Sequence, residues 1–230
     1  AVVVIAGDVD PKEVLAIAEK TYGQVPVKDI AQRKLQAEPV QKGIRRFSLK
    51  APAENTVMYM GWKVPNLKPT NFSEKEPYAL DVLSGILDGN PNARLNRILV
   101  RDKKIATSAG AGYDSCCSRS EELFVINVGL SGKKKTDQIE SEIRKIIKDI
   151  ADNGVKEEEL NRVKIAVTAA QVYKRDSVFG QAMEIGGMEM AGMSWRQIDE
   201  WTKNVQMVTA KEVQEVTKKY LIDDLLTIGV

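Results

Sequence analysis

The feature that most constrains this 230-residue chain is its opening, where Ala1-Val2-Val3-Val4-Ile5-Ala6 runs directly into Gly7-Asp8-Val9-Asp10-Pro11. A short run of apolar, mostly β-branched residues predicts a buried central strand, and such a strand needs neighbours on both sides. Few candidates follow immediately. The chain closes in a similar way, on Leu225-Leu226-Thr227-Ile228-Gly229-Val230. Together the two ends predict a segment of a longer protein whose function lies partly outside it. No basic region precedes the first apolar run, so it does not have the pattern of a signal peptide.

The count that removes the most chemistry is that of histidine, which is zero. Without histidine the segment cannot hold a His-based zinc site, a Ser-His-Asp triad or a Cys-His pair. Catalysis by these residues alone would have to use Lys, Tyr, Ser or paired carboxylates. A hydrophobic content of 43% is enough for a full core, and the net charge of +2, with both signs interspersed, argues against a nucleic-acid footprint. No apolar run approaches the ~20 residues that span a bilayer. Cys116 and Cys117 are adjacent and rarely would bridge each other, so no intramolecular disulfide framework is expected and the redox compartment stays open.

Along the chain, Asp10 and Pro11 start a helix whose apolar face is Val14, Leu15, Ala18 and Tyr22, with Gly23 and Pro26 ending it. Residues 24–43 are polar and aperiodic, a linker. Strands are expected over 44–50 and 56–64, the second apolar on both faces. Helices follow over 73–87 and 93–103, then strands over 105–114 and 122–130. In the first of these two strands, Ala106, Ser108, Gly110 and Gly112 alternate onto one face, small enough for a close backbone approach. Ile139, Ile143, Ile146 and Ile150 mark the buried stripe of a helix ending at Asn153-Gly154. Leu160, Val163, Val167 and Ala170 mark the next, a Gly/Met-rich helix covers about 179–190, and capping-box spacings at Ser194 and Thr209 start two more before a last strand near Leu225. Strands paired early and helices clustered late predict an α+β class, a layered sheet with helices mainly on one face.

Most conspicuous motifs have sufficient packing explanations. Gly110-Ala111-Gly112 lies within a strand that follows a helix, the wrong setting for a phosphate loop. Gly186-Gly187, amid Met183, Met188, Met190 and Met193, suits close helix packing better than a binding groove. Lys133-Lys134-Lys135 fits a solvated turn, Glu157-Glu158-Glu159 fits a helix N-terminus, and Asp10 is occupied as a cap. Arg94, Arg97 and Arg101 are the stronger candidates. Their spacings of three and four place them on one helix face, suited to the carboxylates or carbonyls of an extended peptide, with a solvated basic face as the plainer reading.

The order of these elements and the wording of several motifs resemble one family, the M16 (insulinase/pitrilysin-type) zinc metallopeptidases. The resemblance is carried by Val2-Val3-Val4-Ile5-Ala6-Gly7-Asp8-Val9-Asp10-Pro11 with Tyr22-Gly23, by Ala79-Leu80-Asp81-Val82-Leu83, and by Asn92-Ala93-Arg94-Leu95-Asn96-Arg97-Ile98-Leu99-Val100. Ile105-Ala106-Thr107-Ser108, Ala111-Gly112-Tyr113-Asp114 and Gly154 through Lys164 continue it. No single motif is diagnostic; their order and spacing together are specific.

The resemblance implies that residues 1–23 are the last strand and helix of a preceding homologous domain. Residues 24–43 would then be a linker, and residues 44–230 a C-terminal, non-catalytic domain. Family members enclose unfolded peptide in a chamber, and their zinc is held elsewhere by an inverted His-x-x-Glu-His motif. The resemblance therefore implies no catalytic residue and no metal in this segment, and zinc in the catalytic domain of the same parent chain. Implied partners are that domain, a peptide substrate, and a second such half or a homodimer. Some members position substrate with an Arg and a Tyr six or seven residues later. Arg101 fits the Arg, but the two Tyr positions hold Thr107 and Ser108, so only half the pair carries over. The substrate-binding candidates are Arg101, Arg97, Arg94 and Thr107. A parent that has lost its zinc motif and acts as an assembly subunit is the alternative. The bacterial periplasm is favoured over the cytoplasm.

Overall fold

A computed structural model describes residues 2–29, 31, 39–53, 55–116, 121–132 and 135–230. Five strands form one mixed sheet: β1 (Arg45–Phe47), β2 (Val57–Val64), β3 (Ala106–Gly112), β4 (Glu122–Leu130) and β5 (Leu226–Gly229). Their order across the sheet is β1-β5-β2-β4-β3, with β1 parallel to β5 and the other pairs antiparallel. The helices are α1 (Pro11–Thr21), α2 (Lys75–Asp88), α3 (Thr136–Asn153), α4 (Glu157–Arg175), α5 (Val178–Ala191), α6 (Ile198–Met207) and α7 (Ala210–Tyr220). A π-helical segment, Asn96–Asp102, links α2 to β3.

The core lies on one side of the sheet. Met58, Met60, Trp62 and Val64 of β2, Phe124, Ile126 and Val128 of β4, and Leu226 and Ile228 of β5 all point to it and are buried. Against them lie Leu80, Leu83 and Leu87 of α2, the four-isoleucine stripe of α3, and Val213 and Val216 of α7. The period-3.6 and period-2 patterns meet on that face, which is why the elements form where the sequence predicts them. Fully burying one such aliphatic or aromatic side chain stabilises by about 1.5–3 kcal/mol. The capping boxes at Ser194 and Thr209 both form.

Four local expectations are corrected. The opening residues 2–6 form no strand, and Val3 and Ile5 are about half exposed. The central slot between β1 and β2 is already taken by β5, so no position with two neighbours remains for them. Helix α1 is capped by Asp10, whose carboxylate accepts from the Lys12 N–H at 2.7 Å, yet none of its residues is buried. Strand β2 is central but not apolar-buried on both faces, since Val57 and Tyr59 are exposed. In β3 the register shifts between Ala106 and Ser108, so the extra residue Thr107 reverses the phase. Ala106 thus joins Ala109 in the core, while Ser108 stays on the opposite face.

Cys117, Lys133 and Lys134 lie outside the described residues; Cys116 Sγ lies 3.5 Å from the Ser115 hydroxyl oxygen. No helix among the described residues is long and apolar enough to cross a membrane.

Candidate functional site: the bare face of the sheet

The face of the sheet opposite the helices is built from the alternate residues of each strand. The pairings Tyr59↔Asn127, Gly61↔Val125 and Lys63↔Leu123 run along its centre. Thr227 and Gly229 of β5, Arg45 and Phe47 of β1, and Ser108, Gly110 and Gly112 of β3 complete it. Large side chains are sparse there. Five glycines (61, 110, 112, 129 and 229) point their missing side chains to this face, and none occurs among the strand residues of the other.

Three of these glycines are required by their neighbours, Gly229 most tightly, since a Cβ there would overlap the Phe47 ring. A Cβ on Gly129 would stand 2.8 Å from both the Thr107 and Ser108 hydroxyl oxygens, and one on Gly110 would stand 2.8 Å from Asn127 Oδ1. Gly61, by contrast, faces open space. The result is a shallow, mixed surface with Tyr59 and Leu123 about half exposed. It offers apolar contact and a few hydroxyl and amide groups. Among the described residues, no group of three or more His, Cys, Asp or Glu side chains converges as a metal site.

The candidate residues separate. Thr107 lies on the bare face, its hydroxyl donating to the Gly129 carbonyl at 3.2 Å. Arg97 and Arg101 are exposed on the π-helical segment, and Arg101 donates to the Asn92 side chain. Arg94, only 7% exposed, does not share their face. Its Nε and Nη2 donate to the two carboxylate oxygens of Glu159 at 2.9 and 2.8 Å, and Nη1 donates to Asp149 at 2.9 Å. Burial works against the Arg94 charge, but Glu159 and Asp149 more than offset it. The same pairing with Arg94 holds the Glu159 carboxyl below its ordinary range. Arg94 precedes the π turn and ties it to α3 and α4, so the three arginines divide between a structural clamp and a solvated pair.

The sheet's two edges differ. Along β3, the Ala111 N–H donates to Asp88 Oδ2 at 3.2 Å, and the Ala109 carbonyl accepts from Asn96 Nδ2 at 3.1 Å. The Ala111 carbonyl also accepts from the Ser84 hydroxyl at 3.3 Å. Side chains therefore occupy the outward backbone groups that would otherwise pair with another strand. Along β1 the outward groups of Arg46 and Ser48 have no such partners among the described residues.

Sequence reasoning missed the bare face as a unit. Its signal was present in the alternation Val57, Tyr59, Gly61, Lys63, where every second residue is either large and buried or small, polar or amphipathic. It also missed a partly buried carboxyl on α2, Asp81. Asp81 of α2 accepts from the Trp201 indole N–H at 3.3 Å, and that N–H also reaches the Ser115 hydroxyl at 2.9 Å. Burial pushes the Asp81 pKa up to about 8, and neighbouring Asp114 adds to the rise, although the bonds from Ser115 and Trp201 oppose it.

Comparison with known proteins places this arrangement. Residues 1–167 match the family model described as the peptidase M16 inactive domain. The zinc protease PqqE of Helicobacter pylori is 24% identical over 169 residues, which is 72% of this chain and 36% of that protein. A protease from Helicobacter pylori superposes with a TM-score of 0.87 at 20% identity, over 97% of this chain and 53% of that one. The peptidase M16 inactive domain from Pseudomonas fluorescens gives 0.75 at 18% identity, over 97% and 51%. The first half of the periplasmic protease PqqL from Escherichia coli gives 0.74 at 13% identity, over 97% and 49%. This chain thus spans about a third to a half of the length of these relatives. The fold, the helix-backed sheet and the family match agree, and the chain belongs to the peptidase M16 inactive-domain family.

Proposed function

We propose that this chain is the non-catalytic half of a zinc endopeptidase and that its bare sheet face forms part of the wall of a substrate chamber. One observation carries the reading: among the described residues, the helices packed on the sheet lie on the same side, leaving a broad face on which Gly61 and Gly112 meet open space. An extended peptide can lie close to such a surface, because the glycines remove side chains that would hold its backbone away. Tyr59, Leu123 and Phe47 supply apolar contact, and Asn127, Ser108 and Thr107 supply hydrogen bonds of low sequence preference. Arg97 and Arg101 are solvated cations near the start of β3 and serve as secondary contacts for peptide carboxylates.

The chemistry would be done by zinc in a catalytic domain of the same parent chain, which supplies a metal-activated water. Residues 1–23 would belong with that domain, and residues 24–43 would connect it to the body formed by residues 44–230. The exposed apolar faces of residues 2–6 and α1 support this division. A second half or a second copy would close the chamber. Likeness to a periplasmic protease favours the periplasm. The test is to incubate this chain, with and without added zinc, with a fluorogenic unfolded peptide. Binding without cleavage is expected in both cases; zinc-dependent cleavage by this chain alone would overturn the proposal.

A further inference from the structure

The two sheet edges are unequal, and the open one lies in a basic setting. In the parallel β1–β5 ladder, the Leu49 N–H donates to the Val230 carbonyl at 2.7 Å and the Val230 N–H donates to the Phe47 carbonyl at 3.2 Å. Residues 45, 47 and 49 therefore turn their backbone groups toward β5, and residues 46 and 48 turn theirs outward. Every residue from Arg45 to Lys50 is exposed. A groove of about 420 Å³, lined by Arg46, Phe47, Ser48, Thr136, Ile228 and Val230, runs beside this edge. A second of about 460 Å³ continues it along α3 and shares Arg46.

The charges around this edge do not cancel. Arg46 is spent on Glu140, with two bonds of 2.7 Å, and Arg144 bridges Glu140 at 2.8 Å and Asp223 at 2.6 Å. That cluster is close to neutral. Lys42, Arg45 and Lys50 have no ionic partner among the described residues, and Arg45 points to the bare face beside Phe47. Two nearby acids lie outside that cluster: Asp224, which accepts from the Gly43 N–H at 3.0 Å, and Asp137, which lines the second groove with Arg46. The open edge therefore carries a surplus of free cations.

We propose that β1 receives an acidic, extended peptide segment as a sixth strand. Its backbone would pair with the outward N–H and C=O groups of Arg46 and Ser48, and its carboxylates would meet Lys42, Arg45 and Lys50. Main-chain pairing supplies sequence-independent affinity, while alternate side chains supply the preference. Arg45, Phe47 and Leu49 share the bare face, so on that face the added strand places an acid opposite Arg45 and apolar side chains opposite Phe47 and Leu49. The β3 edge is excluded by its Asp88, Asn96 and Ser84 bonds. This inference rests on the reading that the domain holds unfolded peptide, and it names the class of segment held.

The test uses this chain and two labelled peptides, one alternating Glu with Val and the other alternating Lys with Val, read by fluorescence anisotropy. An uncharged unfolded peptide serves as the third probe. The Glu peptide should bind at least about tenfold more tightly than the Lys peptide, and added salt should narrow the gap. The double variant R45E/K50E should invert the preference. Ser48→Pro removes only an outward donor, which an edge strand tolerates, and should abolish binding of the Glu peptide while circular dichroism is unchanged. Undiminished Glu-peptide binding in Ser48→Pro, or equal binding of the two charged peptides, would overturn the edge proposal. If the uncharged peptide still binds in that case, the domain reading survives; if no peptide binds at all, both fall.

Discussion

The two faces of this sheet are made by the same strands and have opposite characters. On the helix side stand Met58, Met60, Trp62, Phe124, Ile126 and Val128, all buried. On the other side the same two strands present Tyr59, Gly61, Lys63, Leu123, Val125 and Asn127. Period-2 alternation allows one strand to satisfy a core and a working surface at once, because successive side chains do not compete for space. The difference teaches that stability and the proposed peptide contact are separable here: the first is concentrated behind the sheet, the second is assigned to the face before it.

The largest expected effect tests that separation directly. Phe124→Ala empties a fully enclosed site and should cost about 3–5 kcal/mol in urea unfolding. Tyr59→Ala, on the same sheet but the bare face, should cost less than about 1 kcal/mol while weakening peptide binding. Equal costs would break the comparison. Next comes the clamp that joins the π-helical segment to the helices. Glu159→Ala leaves the buried Arg94 with Asp149 as its ionic partner and should cost about 1–3 kcal/mol, whereas the paired change Arg94→Met with Glu159→Leu should recover most of it.

The clamp also sets an acid limit. The Glu159 and Glu140 carboxyls are held below their ordinary range by Arg94 and Arg46 respectively. Their stabilisation is present above the unfolded-state pKa and is lost as the pH falls through the depressed folded-state values. Wild-type chain should therefore lose stability below about pH 4.5, an ordinary glutamate value, and Glu159→Gln should show a shallower loss. A smaller effect is expected from Gly129→Val, which would press on Thr107 and Ser108 and cost about 1–3 kcal/mol.

One further effect has the opposite sign. The Asp81 pKa is raised to about 8, so the folded state holds its proton more tightly than the unfolded chain does. Stability from this group falls as the pH rises from the ordinary carboxylate range toward 8. Asp81→Asn should flatten that slope, measured by thermal unfolding between those limits. Unchanged slopes would mean that the Ser115 and Trp201 bonds outweigh burial.

Much of this architecture was legible in the residues. Ile139, Ile143, Ile146 and Ile150 predicted a buried helical stripe because their spacing is local and their side chains have no other use. The bare face was less legible. Val57 and Tyr59 have strong strand propensity whether buried or exposed, so composition suggested two apolar faces where the structure has one. The Thr107 bulge was invisible, because an extra residue changes the phase of β3 without leaving a compositional mark. Arg94 was grouped with Arg97 and Arg101 by helical spacing. Its true partners, Asp149 and Glu159, are 55 and 65 residues away, beyond the reach of any local pattern.

The most direct test of the account is photo-crosslinking from the sheet. A benzophenone amino acid replaces Tyr59 in one variant and the exposed helix-side Glu158 of α4 in another, and each is irradiated with an unfolded, uncharged peptide. Crosslinking from position 59 and little or none from position 158 is the predicted result. Crosslinking from position 158 with none from position 59 would contradict the assignment of the bare face as the peptide-holding surface.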